Sequence, residues 1–291
     1  MDSTVAAVLH RLRASGAAEP LTDLPDRVEA LHRLHRRFVE VVPYENLDIV
    51  LGRPAGIDPA TSLAAIRSGR GGYCYHLNGA FARLLEELGY PVTRHVGGVQ
   101  GPNGCPHVNG NHLALTVRAG GKDWIVDVGL SDCLYEPLPL AVGEYRQGPF
   151  SYRVDRSEAS PGGWRVRHDT KGSFVAMDFA AAPARQEDFA GMHAHLSRDP
   201  RSPFVRTLCV ARRIEAGADV LRSLTLATVR DDVTRTVLDR REDWFAALGD
   251  VFGLARTLWS RADQDNLWAI AVEQHAAFLA SRRARREASQ L

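Results

Sequence analysis

The sequence predicts an α+β protein. Helical periodicity fills residues 1–91, strand patterning takes over at Val92, and residues 211–291 mix the two. Segregated helices and strands, rather than regular alternation, are the mark of that class. The length of 291 residues predicts two domains, or three small ones.

Each element has its own signal. Val5, Val8, Leu9 and Leu12 recur at helical spacing. Asp23 reads as an N-cap ahead of Pro25, and Val28, Leu31, Leu34 and Phe38 mark one face of a second helix. Pro43 precedes Tyr44-Glu45-Asn46-Leu47-Asp48, after which Gly52, Pro54 and Gly56 indicate a loop. A third helix carries Leu63 and Ile66 and stops at Arg70-Gly71-Gly72. The strongest helical pattern follows, with Leu77, Phe81, Leu84, Leu85 and Leu88 on one face and Gly89 in the C′ position. That helix begins at Tyr73-Cys74 and so places a thiol at its N-terminus.

Strands are expected at Val96–Val99, His112–Val117, Trp124–Val128, Tyr152–Val154, Trp164–Val166, Phe174–Met177 and Phe204–Arg213, then at Leu224–Val229 and Thr234–Leu238. Arg118 to Asp123, with Gly120-Gly121 inside, is a hairpin signal. Helices over Trp244–Val251 and Asp263–Arg282 close the chain.

Composition removes several function classes. Hydrophobic residues are 45% and charged residues 24%, enough to build a core, so global disorder is excluded. Gly and Pro lack the period of a collagen. Lys+Arg is 36 against Asp+Glu 35, a net charge of +1, which argues against a nucleic-acid binder. The basic tail, Arg282, Arg283, Arg285 and Arg286, reads as a solvated helix end, with contact to a soluble cofactor's phosphates as the alternative. No run reaches the roughly 18 apolar residues of a membrane helix, and the N-terminus lacks the basic region of a signal peptide. The four cysteines, Cys74, Cys105, Cys133 and Cys209, form no CxxC pair, so a reducing cytoplasm fits best. Cys105, His107 and His112 match no standard metal spacing, and no metal site is expected. No GxGxxG or P-loop is present. His193 and His195 flank Ala194 in a segment that reads as surface.

Three residues carry the chemistry. A helix N-terminus favours the thiolate form of Cys74, although a lone intracellular cysteine is more often a buried apolar residue. A cysteine nucleophile needs a base, and the base needs an orienting acceptor. His112 opens one strand of the hairpin and Asp127 ends the other. If Ala119-Gly120 makes the turn, His112 lies opposite Asp127; if Gly120-Gly121 makes it, Ala114 does, and His112 is the diagonal neighbour. Both registers put imidazole and carboxylate on one face at roughly 5–8 Å between Cβ atoms. Asp127 also interrupts the apolar run Trp124-Ile125-Val126 and Val128, and a buried carboxylate is costly unless paired. Taken singly, Asp127 could bond backbone N–H groups and His112 could be a core histidine; together with Cys74 they are far more specific.

These residues resemble the arylamine N-acetyltransferase family. Arg70-Gly71-Gly72-Tyr73-Cys74 is similar to its RGG-aromatic-Cys motif, followed by Asn78 and Phe81, and Asp127-Val128-Gly129 is similar to its Asp-x-Gly segment. The separations between Cys74, His112 and Asp127 are those expected of the family. Pro43-Tyr44-Glu45-Asn46-Leu47 resembles its Pro-Phe-Glu-Asn-Leu signature, and Ser202-Pro203-Phe204 its Ser/Pro-rich segment. The resemblance spans residues 1 to about 280 and is most specific in the first half. It implies an N-terminal helical bundle (1–91), a central β-barrel domain (92–210) and a C-terminal α/β lid (211–291) around a papain-like Cys-His-Asp core. It further implies that acetyl-CoA acylates Cys74 and that an aromatic amine or hydrazine takes the acetyl group, with His112 as base and Asp127 as its support. Tyr44, Val99, Gly110, Leu130, Ser202 and Phe204 would bind substrate, and Arg70 would pair with Glu45 and Asp48 under the nucleophile. Three positions depart from the usual pattern. Tyr44 and Leu130 stand where Phe is common, and His76 stands where Glu is common. They touch the pocket rather than the triad.

The expected partners are a small amine and an acyl-CoA, with no tightly bound cofactor, no nucleic acid and no membrane; a homodimer is left open. Some relatives close amide bonds from a carrier-bound acyl chain and others prefer malonyl-CoA, so a carrier protein enters under that alternative. A cysteine hydrolase and a non-enzymatic binding protein are the remaining rivals.

Overall fold

The computed structural model describes residues 2–14, 25–102, 104–132 and 134–288. The chain starts with helices α1 (Ser3–Ala14) and α2 (Arg27–Val41), a short strand β1 (Tyr44–Glu45), and helices α3 (Leu47–Val50), α4 (Pro59–Arg67) and α5 (Cys74–Glu87). The predicted cap Asp23 lies outside the described residues. Asp26 caps α2, its carboxylate accepting from the N–H groups of Val28 and Glu29 at 2.8 and 3.3 Å. Asp58 and Pro59 start α4 in the same way. The periodic residues Val5, Leu12, Leu34, Phe38, Ile66 and Phe81 meet in one core.

That core does not end with the helices. Strands β2 (Val92–Gln100), β3 (His112–Ala119), β4 (Lys122–Val126), β5 (Leu138–Pro139), β6 (Gly143–Gln147), β7 (Phe150–Arg156), β8 (Trp164–Arg167) and β9 (Ala176–Ala184) form an antiparallel, barrel-like sheet ordered β5-β4-β3-β2-β9-β8-β7-β6. On β3, Leu113, Leu115 and Val117 point into the helical core, whereas Ala114 joins Ile125, Phe150, Tyr152 and Phe179 inside the barrel. Period-two alternation thus lets one strand bind both layers.

The turn after β3 selects between the two predicted registers. Ala119 pairs with Lys122, and Gly120 and Gly121 have φ of +56° and +74°. Two consecutive left-handed residues make a type I′ hairpin, a conformation glycine adopts without penalty. Leu115 consequently pairs with Val126, and His112 becomes the diagonal neighbour of Asp127.

Helices α6 (Ala190–Arg198) and α7 (Pro203–Arg206) lead into strands β10 (Cys209–Ile214), β11 (Gly217–Arg222), β12 (Thr225–Val229) and β13 (Val233–Val237), then helices α8 (Arg241–Asp250) and α9 (Arg261–Ala288). The strand expected from Phe204 begins only at Cys209, because Pro203 at the first helical position and the Ser202 cap start a helical turn. The second sheet has the order β1-β10-β11-β12-β13, so its edge strand comes from the N-terminal section. Along it, Glu45, Val210 and Leu221 share one face and Tyr44, Ala211, Cys209 and Arg222 the other. The first face packs on Trp244, Leu248 and Leu267 of α8 and α9. No described helix is long and apolar enough to cross a membrane.

Candidate active site

Cys74 is the first residue of α5, and its cap residue Tyr73 makes no side-chain cap hydrogen bond. The first-turn N–H groups therefore keep their electrostatic pull on a negative sulfur. Arg70 secures the approach to that helix end. Its Nη2 and Nε donate to Glu45 Oε1 at 2.8 and 3.0 Å, and its Nη1 reaches Asp48 at 3.3 Å. Glu45 is nearly inaccessible (4% exposed) and also accepts from Leu47 N–H at 2.8 Å.

His112 and Asp127 are both 1% exposed, and His112 Nε2 meets Asp127 Oδ2 at 2.6 Å. Nδ1 is left for the sulfur. Burial alone would pull the imidazole pKa down. The charge and hydrogen bond of Asp127, with a smaller contribution from Cys74, outweigh it and raise the pKa to about 10. An imidazolium that persists across neutral pH is what a thiolate partner requires.

The other oxygen of Asp127 is equally committed. Oδ1 accepts from Asn78 Nδ2 at 3.0 Å and from Gly129 N–H at 2.9 Å. Asn78 also donates to Leu113 O at 2.7 Å and accepts from Val128 N–H at 2.9 Å. Asn78 is four residues after Cys74, on the same face of α5, so one helix carries the nucleophile and clamps the acid. A Cβ on Gly129 would fall 2.8 Å from Cys74 Cα; only glycine lets the Asp-x-Gly segment pass so close to the nucleophile's backbone. Behind the acid, His35 is fully buried and burial lowers its pKa to about 4. The neutral ring donates from Nδ1 to Tyr135 O at 2.9 Å and accepts at Nε2 from Asp127 N–H at 3.3 Å.

Cys74 and His112 open into a cavity of about 450 Å³, a size suited to a small organic substrate. Tyr44, Val99, Leu130 and Phe204 line it, as do Asn111, Ser131, Phe174, Thr207, Cys209 and Arg222. Two of the residues expected to bind substrate are placed elsewhere. Gly110 does not line the cavity; it makes a left-handed turn (φ +83°) whose carbonyl accepts from Tyr75 OH at 2.5 Å. Ser202 lies outside it too, as the cap of α7, with its hydroxyl donating to Leu196 O at 2.5 Å. His193 is also not a surface residue: it is buried, and its Nδ1 lies 2.5 Å from Tyr73 OH beneath the nucleophile's helix. His195 stays exposed beside Asp199.

Residue reading missed the supporting roles of Asn78 and His35 and the contribution of Thr207, Cys209 and Arg222. Asn78 had a usable signal, its position one helical turn from Cys74. The others come from distant segments. Cys209 differs from Cys74 in having no imidazole beside it; burial pushes its thiol up, against the pull of Arg222.

The sequence model of the family described as N-acetyltransferase matches residues 27–258. The chain is 30% identical to the arylamine N-acetyltransferase of Mycolicibacterium smegmatis, over 77% of this chain and 84% of that one. It is 29% identical to proansamycin X synthase of Amycolatopsis mediterranei, over 76% and 88% respectively. Its fold superposes with a TM-score of 0.79 on Mycobacterium marinum arylamine N-acetyltransferase in complex with CoA, at 26% identity, covering 92% of this chain and 98% of that structure. Matching motif, matching fold and matching sequence over most of its length lead to one conclusion: the chain belongs to the N-acetyltransferase family, as an acyltransferase of the arylamine N-acetyltransferase type.

Proposed function

We propose that this chain moves an acetyl group from acetyl-CoA to an aromatic amine or hydrazine by a ping-pong route through an acyl-cysteine at Cys74. The observation that carries the reading is the buried His112–Asp127 pair opening with Cys74 into one substrate-sized cavity. The Mycobacterium marinum relative whose structure contains CoA supports the donor.

The proton of Cys74 moves to His112 Nδ1, giving a thiolate–imidazolium pair. Asp127 holds Nε2 and fixes the ring, while Asn78 and Gly129 hold Asp127. The thiolate attacks the thioester carbonyl, and the tetrahedral adduct collapses. The CoA sulfur leaves with the proton from His112, and an acetyl-cysteine remains. The amine then attacks that acetyl carbon and gives its proton to His112. Collapse releases the amide and regenerates the thiolate. Exchange between two sulfurs is nearly isoenergetic, which suits cysteine to the first half. Water must be kept from the intermediate, a task for which the C-terminal sheet forms one wall.

Mass spectrometry after mixing with acetyl-CoA tests this directly. One acetyl group on Cys74, released by an added arylamine, is the expected result; an unmodified Cys74 removes acetyl-CoA as donor. A second reading has one observation behind it, the similarity to a synthase: the same triad taking a carrier-bound thioester. A donor panel of acetyl-CoA, malonyl-CoA and carrier-bound thioesters separates the two.

A further inference from the structure

Among the described residues, the side chains lining the cavity include two that carry positive charge, His112 and Arg222, and no carboxylate. His112 is spent on Asp127 and Cys74. Arg222 forms no ion pair among the described residues; its side chain bonds the Cys209 sulfur and remains partly open to solvent. Asp132, an acid that feels its charge, is already occupied. Its oxygens accept from Ser173 N–H and Ser173 Oγ at 2.7 Å each, with His168 Nε2 3.6 Å away.

The base on which Arg222 stands is unusual. It is the last residue of β11, paired across to Cys209 and Thr225. The hairpin that follows holds Ser223 at φ +50°, a left-handed conformation found at no other described non-glycine residue. Such strain persists only where the surroundings over-determine it. Ser223 N–H donates to Leu208 O at 3.0 Å, its carbonyl accepts from Trp244 Nε1 at 2.9 Å, and its hydroxyl meets Gln274 Oε1 at 3.2 Å. A pinned, strained turn thus fixes the end of the strand that presents a guanidinium without an acidic partner to the cavity.

We infer that Arg222 forms a carboxylate subsite, and that the molecule processed in this cavity carries a carboxylate group which Arg222 binds. The inference rests on the acyl-transfer reading above and adds a substrate class to it. A planar guanidinium suits a carboxylate through paired N–H···O bonds, and with the imidazolium of His112 balanced by Asp127 and the sulfur, Arg222 is the cation left in the described lining to attract an anion. The carboxylate has two potential sources: an acceptor such as an aminobenzoate, or a dicarboxylic acyl donor such as malonyl-CoA.

The test compares wild type, Arg222→Gln and Arg222→Lys in two arms. One arm measures kcat/KM for 4-aminobenzoate against its uncharged amide, with acetyl-CoA as donor. The other compares malonyl-CoA with acetyl-CoA, using an uncharged amine. Wild type should favour the carboxylated compound in one arm. Arg222→Gln should lose roughly 10- to 100-fold on that compound, the worth of one charge-assisted contact. The uncharged counterpart should change by less than about threefold on the same scale, and Arg222→Lys should retain part of the preference. The arm that responds names the source. A parallel readout needs no turnover: benzoate should slow iodoacetamide labelling of Cys74 in wild type but not in Arg222→Gln, and benzamide should do so in neither. Equal losses on charged and uncharged compounds, no wild-type preference in either arm, or identical benzoate protection in wild type and variant each overturn the subsite. Absence of acetyl transfer to every amine, with selective benzoate protection retained, overturns the acetyl-CoA reading and leaves the subsite standing.

Discussion

The cavity has two walls of opposite construction. One is made by α5, β3 and the segment after β4, where both carboxylate oxygens of Asp127 have partners and Asn78 spans two secondary-structure elements. The other is the open face of the second sheet, where Tyr44, Cys209 and Arg222 stand side by side on three strands. The first wall has its geometry fixed by a closed hydrogen-bond network. The second presents a phenol, a thiol and a guanidinium, and among the described residues its guanidinium bonds the Cys209 sulfur and forms no ion pair. The proposed chemistry rests on the first, and the proposed choice of substrate on the second.

The sharpest break of that division is Cys74→Ala, which should abolish transfer outright and leave no protein-bound acetyl group by mass spectrometry. Asp127→Asn should leave the fold intact by circular dichroism while lowering kcat by roughly 10³- to 10⁴-fold, because the imidazole loses its orienting acceptor. Asn78→Ala, one shell further out, should cost roughly 10- to 100-fold in kcat and slow iodoacetamide alkylation of Cys74; an unchanged alkylation rate would separate the clamp from the nucleophile. Tyr44→Phe, on the opposite wall, should change the KM of the amine by less than about tenfold on the scale of one lost hydrogen bond, with alkylation of Cys74 unaltered.

The smallest effect is on stability, and the two histidines flanking Asp127 give it opposite signs. His112, raised to about 10 in the fold from roughly 6.5 when unfolded, stabilises fully below the unfolded value; that contribution is lost as pH rises from about 6.5 through 10. His35, lowered to about 4, resists the proton that the unfolded chain accepts, so its contribution falls as pH drops from about 6.5 to 4. Melting temperature plotted against pH should decline on both sides. His112→Asn should flatten the alkaline limb and His35→Asn the acid one.

The first wall was largely legible in the sequence. Cys74 follows Arg70-Gly71-Gly72 at the start of the most periodic helix, and the hairpin places His112 and Asp127 on one face in either register. What chose the register was the conformational freedom of Gly120-Gly121, a local property. The second wall was not legible, because its neighbours are distant: Tyr44 meets Ala211, and Cys209 meets Arg222, through strand pairing that no local periodicity encodes. Ser202-Pro203 shows the converse failure. The residues after it pattern as a strand, yet a cap and a proline start a helical turn. His193 was misread because the groups it packs against, Tyr73, Tyr75 and His76, come from the start of another helix.

The pairing of β1 with β10 also bears on how the polypeptide comes off the ribosome. Tyr44 and Glu45 acquire their hydrogen-bonding neighbours only after Val210 and Ala211 have been made. At typical synthesis rates that interval is on the order of 10 to 30 seconds. During that wait the wall that carries Tyr44, Cys209 and Arg222 is unformed, and it is completed only after Arg222 has been added.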